Sequence, residues 1–334
     1  MKQETKQLAV IILNWNGIEL LKKFVPSAYA HTQGEEVDLI VADNGSEDKS
    51  VEWLKENYPG IKVLEFGKNY GFAEGYNKAI EKTRYPFTIL LNSDVEVTPG
   101  WWKPLLNFMQ THPEAGAVQP KIKSFSNKTK FEYAGAAGGY LDKLGYPYCR
   151  GRLFDRVEED HGQYDGPPVE VCWASGAALC VRTSLYLELG GLDPLFFAHM
   201  EEIDLCCRMW ASGHPVFAIS DSEIFHVGGA SLHKDDPKKT YLNFRNNLLL
   251  LYKNLPLKNK KRKLIIRRLT DSLAFLMYMA KFDLANAKAI LRAHRDFKKM
   301  RKEYSDLPPV EEDFRFPGSD RNIIIDRYLL NKKR

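Results

Sequence analysis

Two acidic side chains in the first third of the chain could bind a metal ion. The apolar run Phe87–Leu91 leads into N-S-D-V-E, and side chains two apart on an extended segment face the same way. Asp94 and Glu96 would then present two hard oxygen donors, which suit Mg²⁺ or Mn²⁺. The motif alone also fits two solvated loop acids.

A second candidate is Asp43, which ends the apolar run Val37–Asp43 and precedes Asn-Gly-Ser. An acid at a strand end can accept a hydrogen bond from a ribose hydroxyl or a base N–H. It can equally serve only to shape an Asn-Gly turn. Further along, Gly71 and Gly75 in N-Y-G-F-A-E-G-Y-N allow close backbone approach, either to a ligand or between a helix and the sheet. G-x-G-x-x-G is absent, which argues against a dinucleotide-binding dehydrogenase.

Three acids stand at the start of a predicted helix near residue 201. Asp204 and Arg208 are spaced for an i,i+4 ion pair, and a helix dipole stabilises acids at this end. That pair does not explain Glu201 and Glu202, which follow the aromatic residues of F-F-A-H-M. A carboxylate beside apolar groups has a raised proton affinity and can act as a general base. His226, at the end of a later apolar run, is either a metal ligand or a structural histidine.

The first 120 residues alternate apolar runs with helical patterns, and these elements must position the candidates. The predicted strands are Leu8–Leu13, Val37–Asp43, Ile61–Phe66, Phe87–Leu91 and Ala115–Pro120, with helices near 18–31, 47–57, 72–83 and 99–111. Continuous Val, Ile and Leu runs indicate strands buried on both faces. The β-α alternation predicts an α/β fold with an open, mostly parallel sheet flanked by helices. Ligands bind beyond the carboxyl ends of such strands.

The rest of the chain has a less regular pattern. We interpret residues 123–168 as loops with a hairpin, and residues 305–320 as a linker. The other predicted elements are an apolar block Val169–Val181, a helix from Thr183, a helix over about 201–212, strand-like runs Val216–Ser220 and Glu223–Val227, helices from 240, and a terminal element Asn322–Leu330. We predict a catalytic domain over 1–235, with halves at about 1–122 and 123–235, and a helical basic region over 236–334.

The net charge of +5 conceals an uneven distribution. Residues 236–334 hold 25 Lys and Arg against 11 Asp and Glu, whereas residues 1–235 hold 23 against 32. Eight of the bases and no acid lie in residues 251–270, followed by an apolar helical face. This pattern predicts peripheral contact of residues 251–280 with an anionic membrane or, alternatively, packing of that helix on the catalytic domain or on a partner subunit. We expect no nucleic-acid partner, because no binding module accompanies the charge.

Cysteine content and hydropathy indicate in which cellular compartment we expect the protein. The five cysteines form no C-x-x-C pair, so neither a disulfide framework nor a thiolate zinc site is indicated. No apolar stretch approaches the roughly 20 residues of a membrane span, and the first apolar run is too short for a secretory signal. We expect a cytoplasmic protein, peripheral on the inner face of the cell membrane if the basic region binds lipid.

Taken in order, several segments resemble the family 2 glycosyltransferases with the GT-A fold, and among them the bacterial rhamnosyltransferase-type branch. The segments are V-A-D-N-G-S, N-Y-G-F-A-E-G-Y-N, L-L-N-S-D-V-E-V, G-G-L-D-P-L-F-F, E-E-I-D-L-C-C-R and F-H-V-G-G, within about Leu8 to Pro256. The resemblance implies inverting transfer of a sugar from a nucleotide diphosphate, such as a UDP- or dTDP-sugar including dTDP-rhamnose. The implied acceptor is a hydroxyl of a glycan or lipid-linked molecule, and the implied cofactor is Mn²⁺ or Mg²⁺.

The resemblance also implies residue roles. Asp94 and Glu96 fall on the family's D-x-D motif, and His226 falls on a histidine that completes the metal shell. The implied nucleotide-sugar contacts are Asn14, Asp43, Asn69, Gly71, Asn77 and Asp94, and the implied acceptor side comprises Trp173, Ser175, Gly176 and Asp193. The catalytic base falls on Glu202, with Glu201 before it. The family usually has aspartate there, so which glutamate acts stays open.

Two alternatives stay open. A sugar nucleotidyltransferase would carry a glycine-rich loop with Arg or Lys after the first strand, but this loop is N-W-N-G, without a cation. A catalytically degenerate nucleotide-sugar binder or scaffold is hinted at only by the unusual Glu202, while Asp94, Glu96 and His226 are retained. Turnover separates the alternatives, because a binder releases no nucleotide.

Overall fold

The computed structural model describes residues 6–228, 236–308, 310–311 and 315–328, with residues 259, 327 and 328 described for their backbone only. Gly229 of the last motif and the end of the predicted terminal element therefore lie outside the described residues. The strands are β1 (Leu8–Asn14), β2 (Val37–Asp43), β3 (Lys62–Glu65), β4 (Phe87–Leu91), β5 (Val95–Val97), β6 (Ala117–Ser124), β7 (Gly139–Leu141), β8 (Pro147–Cys149), β9 (Arg152–Leu153), β10 (Arg156–Val157), β11 (Val169–Val171), β12 (Ala178–Arg182) and β13 (Val216–His226). The α-helices are α1 (Ile18–His31), α2 (Ser50–Asn57), α3 (Phe72–Thr83), α4 (Trp102–Thr111), α5 (Thr183–Glu188), α6 (Glu201–Ala211), α7 (Pro237–Asn254), α8 (Leu257–Ala280), α9 (Leu284–Met300) and α10 (Ile323–Tyr328).

A nine-stranded sheet forms the centre of the fold, in the order β11-β13-β6-β12-β4-β1-β2-β3, with β5 paired to β13. The segment β4-β1-β2-β3 is parallel throughout, as the β-α alternation predicts. Strand β12 runs antiparallel to both of its neighbours, and β6 and β13 are parallel to each other. The predicted open sheet with flanking helices is therefore confirmed, with antiparallel strands added in its second half.

Hydrophobic cores lie on both faces of this sheet. Along β1, Ala9 and Ile11 belong to one core, while Leu8, Val10 and Ile12 belong to the other. This alternation follows from the two-residue period of a strand. Burial on both faces explains why the sequence shows continuous apolar runs here rather than an alternating pattern.

Three segments differ from the sequence prediction. Residues 139–157 form a four-stranded antiparallel sheet, β10-β9-β8-β7, where a hairpin was expected. The two strand-like runs after residue 215 are one strand, β13, with a register shift between Ile219 and Glu223. The apolar block from Val169 contains two strands, β11 and β12, because the chain turns between them.

The C-terminal helices differ in how they pack. Helix α7 buries the run Leu248–Leu251, whereas α8 has large apolar side chains exposed to solvent. Helix α9 packs against both α7 and α8. Among the helices that the structure describes, none combines the length and the hydropathy needed to cross a membrane.

Candidate active site

The candidate residues of the first half lie beyond the carboxyl ends of adjacent parallel strands. Strand β1 ends at Asn14 and pairs there with Asp43, the last residue of β2. Strand β4 lies on the other side of β1 and leads into Asp94. This edge of the sheet is where open α/β folds bind their ligands.

Asp43 is buried and holds the turn that follows β2. Its Oδ1 accepts hydrogen bonds from Asn14 Nδ2 at 3.1 Å and from Ser46 Oγ at 2.6 Å, and its Oδ2 accepts from the Ser46 amide at 2.9 Å. Ser46 therefore serves this network and does not cap α2, which begins at Ser50. Among the described residues the buried Asn14 Oδ1 has no hydrogen-bond partner, so it retains the capacity to accept one hydrogen bond.

Asn44, which sequence reasoning did not single out, connects this turn to the loop before α3. Its Nδ2 donates to Asn69 Oδ1 at 3.0 Å and to the Gly71 carbonyl at 2.9 Å, and its Oδ1 accepts from the Tyr70 amide. Gly71 has φ of +79°, which favours glycine, and a side chain there would meet nothing within 4 Å. Asn69 and Gly71 thus lie together at an open part of the sheet edge. Gly75, by contrast, packs α3 against Leu13 of β1.

Asn77 lies apart from the sheet edge, because its amide is engaged by the chain around Leu192. Its Nδ2 donates to the Leu192 carbonyl at 2.8 Å, and its Oδ1 accepts from the Leu192 amide at 2.9 Å and from the Tyr186 hydroxyl at 2.5 Å. Asn77 thus joins α3 to the loop after α5 through these hydrogen bonds.

The Asp94 carboxylate meets His226 at the end of β13. Asp94 Oδ1 lies 3.1 Å from His226 Nε2, and Asn92 Nδ2 lies 3.5 Å from the same nitrogen. On the other side of the ring, Oε2 of the buried Glu132 lies 3.6 Å from His226 Nδ1. Glu132 was missed because it lies in an irregular segment with no motif around it. Burial lowers the pKa of His226, but the hydrogen bond to Asp94 and the negative charges of Glu132 and Asp94 outweigh burial and raise the pKa to about 10.

The Glu96 side chain does not lie beside Asp94 and His226. In the β5–β13 ladder His226 is opposite Val95, whereas Glu96 is opposite Phe225. Because successive side chains of a strand alternate between faces, Glu96 and His226 lie on opposite faces of the ladder. Glu96 forms an ion pair with Lys128 instead, and Lys128 also lies over the ring of Phe225.

The described residues contain no preassembled group of three His, Cys, Asp or Glu side chains that could hold a metal ion. The donor atoms of Asp94 and His226 are nonetheless 3.1 Å apart, and two neighbouring ligands at about 2.1 Å from one ion are separated by about 3 Å. Mg²⁺ is commonly held by one or two carboxylates together with substrate phosphates. This pair therefore fits a divalent ion that substrate phosphates help to bind, and binding of the ion would release the proton that the neighbouring carboxylates favour on His226.

Glu201 and Glu202 begin α6, and each has a buried Oε2 without a hydrogen-bond partner. Burial, together with the charge of Glu202, raises the pKa of Glu201 well above its usual value. Burial raises the pKa of Glu202 to about 7. The Glu202 residue is only half-buried, and a Cβ placed on Gly176 would lie 3.7 Å from its Cβ and Cγ. Gly176 therefore leaves space beside Glu202.

The loop before these glutamates is strained and is held by α7. Phe197, His199 and Met200 have φ values of 66°, 69° and 73°, which are unfavourable for residues other than glycine. Asn246 Nδ2 lies within 3.0 Å of the carbonyls of Phe196, Ala198 and His199, at 2.9, 2.8 and 2.7 Å. Sequence reasoning missed this contact because the partners are almost 50 residues apart.

Three of the predicted acceptor-side residues are engaged within the protein. Trp173 is buried and donates from Nε1 to the Tyr140 carbonyl, and Ser175 Oγ donates to the Ala134 carbonyl at 2.6 Å. Asp193 accepts from Lys253 Nζ at 2.7 Å and from the Tyr304 hydroxyl at 2.8 Å. Of the four, Gly176 is the residue that borders Glu202.

The expected ion pair between Asp204 and Arg208 is confirmed, with 2.9 Å between Asp204 Oδ2 and Arg208 Nε. Asp204 also has further partners. Lys253 Nζ lies 2.9 Å from Asp204 Oδ2, and Asn254 Nδ2 lies 2.8 Å from Oδ1. Burial raises the pKa of Asp204, but Arg208 and Lys253 outweigh it, and the net shift is downward. Asp204 is therefore an ionised structural residue that fixes α6 to the end of α7.

Comparison with known proteins finds that this chain is similar to glycosyltransferases. Residues 9–172 match the family model described as Glycosyl transferase family 2. A curated N-acetylglucosaminyl-diphospho-decaprenol L-rhamnosyltransferase of Mycobacterium tuberculosis is 26% identical over 265 residues, which cover 74% of this chain and 84% of that protein. The expected resemblance to rhamnosyltransferase-type family members is thus confirmed.

Solved structures support the same fold. A structure of GalNAc-T7 with UDP, GalNAc and Mn²⁺ aligns with a TM-score of 0.60 at 18% identity, over 76% of this chain and 50% of that one. The mannosyltransferase PcManGT from Pyrobaculum calidifontis, in complex with GDP-Man and Mn²⁺, aligns with a TM-score of 0.53 at 12% identity, over 89% of this chain and 88% of that one. This chain thus spans about half the length of the first structure and most of the second. The alignments confirm the GT-A type of sheet.

Proposed function

This chain contains a family 2 glycosyltransferase domain, and on that premise we propose that it transfers a sugar from a nucleotide diphosphate to an acceptor hydroxyl in one inverting displacement. The observation that carries the proposal is the Glu202 carboxylate. It has a buried oxygen without a partner, space beside it at Gly176 and a pKa of about 7. A carboxylate with such a pKa is suited to accept a proton at neutral pH.

The donor would bind at the carboxyl edge of β1, β2 and β4. The orphaned Asn14 Oδ1 supports a contact to a nucleoside N–H or hydroxyl, beside Asp43, which retains lone pairs for one more donor. Asn69 and Gly71 flank this space with polar side-chain and backbone groups. Asn77 supports the edge from behind, through the loop at Leu192.

We propose that Asp94 and His226 bind the divalent metal, Mn²⁺ or Mg²⁺, together with the donor diphosphate. The 3.1 Å separation of their donor atoms supports this, and the two structural neighbours described above contain Mn²⁺. A bound ion would supply electrostatic stabilisation for the charge on the departing diphosphate. We leave Glu96 out of this set because it lies on the opposite face of the ladder.

Glu202 is the base in this proposal, and Glu201 is not. Glu201 is buried, and burial together with the charge of Glu202 raises its pKa well above its usual value, whereas Glu202 is half-buried and borders the space at Gly176. In the reaction, the acceptor hydroxyl gives its proton to Glu202 while its oxygen forms a bond to the anomeric carbon. The bond from that carbon to the diphosphate oxygen breaks, and the nucleoside diphosphate leaves with the bonding pair. Configuration is inverted because attack and departure occur on opposite sides.

The sugar and acceptor follow by analogy with the curated relatives. The mycobacterial relative is named as a rhamnosyltransferase that acts on a diphospho-decaprenol-linked sugar. We therefore propose a UDP- or dTDP-sugar as donor, with dTDP-rhamnose as the first to test, and a glycan or lipid-linked acceptor. A lipid-linked acceptor agrees with a location on the cytoplasmic face of the membrane, with contact through the basic helical region.

The test measures thermal stabilisation and nucleotide release with a panel of nucleotide sugars, in Mn²⁺, in Mg²⁺ and in chelator. Ligand binding stabilises the native state by mass action, so the correct donor raises the unfolding midpoint even without an acceptor. We expect a metal-dependent response to one donor, lost in Asp94→Ala. With the acceptor present, NMR of the product should show an inverted anomeric centre, and retained configuration would contradict the proposal. Stabilisation without nucleotide release would support the degenerate binder instead.

A further inference from the structure

Helix α8 is amphipathic in the reverse of the usual sense. Its buried side chains include Arg267 and Asp271, which form an ion pair at 3.3 Å, and Asp271 also meets His294 at 3.0 Å. Seven of its large apolar side chains are exposed, whereas Leu264 packs against the core. The seven are Leu257 at 57%, Ile265 at 53%, Leu269 at 65%, Leu273 at 66%, Leu276 at 58%, Met277 at 49% and Met279 at 41%, and Phe282 follows at 90%.

These side chains form one contiguous surface because of their spacing. Ile265, Leu269, Leu273 and Leu276 recur at intervals of three or four residues, which places them on one side of a helix. The same side carries Lys258, Lys261, Arg262 and Arg268, all of them exposed. We call this surface, from Leu257 to Phe282, the outer face of α8. It is basic towards its N-terminal end and apolar towards its C-terminal end.

Part of the basic stretch expected to meet a membrane is not on this face. Lys253 is buried in ion pairs with Asp193 and Asp204, and Arg267 is buried beside Asp271. Residues 251–256 are largely packed at the end of α7. Of the residues 251–280 that we expected to contact a membrane, only those on the outer face of α8 are exposed in a way that allows it. The alternative expectation that the apolar stripe packs on the catalytic domain is wrong for the described residues, because that stripe is exposed. Packing of the stripe on a partner subunit remains the alternative to membrane contact.

We propose that the outer face of α8 binds the surface of an anionic lipid bilayer, with its cations at the headgroups and its apolar side chains at the acyl boundary. A basic helix with exposed leucines lies in the membrane plane in this way, and each Lys or Arg near an anionic leaflet adds to the attraction. A helix of this length extends about 36 Å, so it offers many such contacts.

The chemistry of the face argues against other occupants. A second copy of the same face would bring like charges together, since α8 carries a single acid and that acid is buried. A nucleic acid would be attracted by the cations, but it offers little to the row of exposed Leu, Met and Phe side chains. A bilayer matches both properties of the face.

This inference deepens the proposed function, since a lipid-linked acceptor would be presented at the same surface. Only two residues separate α8 from α7, and α7 holds the loop before Glu202. Binding of the helix to a bilayer would therefore keep the acceptor side of the site close to the lipid.

The test is co-sedimentation of the full chain with vesicles, which requires neither donor nor turnover, so its failure is distinct from failure of the proposed function. One set of vesicles is phosphatidylcholine with about one third phosphatidylserine, and the other is phosphatidylcholine alone. We expect binding to the anionic vesicles at least about tenfold tighter than to the neutral ones, and weakened by high salt.

Two variants and two matched controls separate the contributions. Leu273→Gln with Leu276→Gln removes apolar contact without adding charge, and Lys261→Gln with Arg262→Gln and Arg268→Gln removes the cations. Each should weaken binding to anionic vesicles by about tenfold or more. Ile325→Gln with Leu307→Gln, and Lys22→Gln with Lys55→Gln and Lys103→Gln, make the same changes elsewhere on the exposed surface and should leave binding unchanged.

Three results would overturn the inference. One is wild-type protein that stays in the supernatant with both vesicle types. Another is equal loss of binding in the variants and their controls, which would indicate unspecific charge. The third is a wild-type dimer in light scattering that the leucine variant converts to a monomer, which would identify the face as a self-interface.

Discussion

Asn246, on α7, donates a hydrogen bond to the carbonyl of His199 at 2.7 Å and so links the C-terminal helices to the loop before the proposed base. His199 and its neighbour Met200 have positive φ, a conformation that persists only when surrounding contacts hold it. Helix α7 therefore completes the site from outside the family-matched residues 9–172.

The first prediction concerns this link. Asn246→Ala should lower kcat by at least about tenfold, because the carbonyls of Ala198 and His199 lose their hydrogen bonds to Asn246 and the loop no longer holds Glu202 in place. The donor KM should stay nearly unchanged, since the donor edge is formed by other strands. Steady-state kinetics check both values, with Asn243→Ala on the same helix as control. An equal effect on kcat and donor KM would contradict a positioning role.

The second prediction concerns the proposed base. Glu202→Gln should lower kcat by about 10² to 10⁴ and leave donor-induced thermal stabilisation intact, because the amide cannot accept the acceptor proton. In the wild type, kcat should rise with pH through about 7, since only the ionised carboxylate is a base. Glu201→Gln should lower kcat by less than about tenfold. The reverse order of the two effects would make Glu201 the base.

A third prediction follows from the raised pKa of Glu201. The folded state holds this proton more tightly than the unfolded chain, so the contribution of Glu201 to stability is fully present below its usual pKa of 4.5 and is lost as pH rises towards the folded value. Glu201→Gln should therefore raise the unfolding midpoint at pH 8, and the effect should be smaller near pH 4.5. Scanning calorimetry of this variant beside the exposed Glu188→Gln checks the expectation, which a pH-independent difference would contradict.

Metal binding provides a fourth prediction. Asp94→Asn and His226→Ala should each abolish the Mn²⁺-dependent part of donor stabilisation, whereas Glu96→Gln should retain most of it, because Glu96 faces Lys128 on the other side of the ladder. Thermal shifts measured with and without chelator distinguish the three variants. Loss of the metal response in Glu96→Gln would restore Glu96 to the metal shell that the D-x-E spacing predicts.

The fifth prediction concerns the anchoring of α7. Lys253→Met should lower the free energy of unfolding by about 3–5 kcal/mol, because it leaves Asp193 and Asp204 buried without their shared cation. Lys288→Met, at an exposed position of α9, should change the free energy of unfolding by less than about 0.5 kcal/mol. Denaturant unfolding measures both. A small change in the free energy of unfolding for Lys253→Met would mean that Arg208 and Tyr304 alone stabilise the carboxylates of Asp204 and Asp193.

Much of the candidate site was accessible from sequence because local patterns carry it. Asp43, Asp94 and His226 each end an apolar run, and parallel strands bring their carboxyl ends to one edge. Glu201 and Glu202 were recognisable because the preceding aromatic residues and the helix start are continuous with them in sequence.

Other features depended on contacts between distant residues. Glu132 reaches His226 across 94 positions, and Asn246 reaches the loop before Glu201 across almost 50. The assignment of Asp193 and Asn77 to ligand binding rested on motif position, whereas the structure gives their polar atoms partners in Lys253 and Leu192. A pattern in one sequence does not show which distant residues contact each other.

The sequence by itself determined the class of fold, the alternation of strands and helices over the first 120 residues and the chemical types gathered at one sheet edge, because hydrophobic periodicity and strand-end motifs are local properties. The tertiary structure alone decided that Glu96 faces away from His226, that Glu202 is more open than Glu201, and that the apolar side of α8 faces solvent. Those outcomes depend on ladder register, on burial and on which neighbours fill the remaining space. They are set by the packing of the whole chain and not by any segment of it.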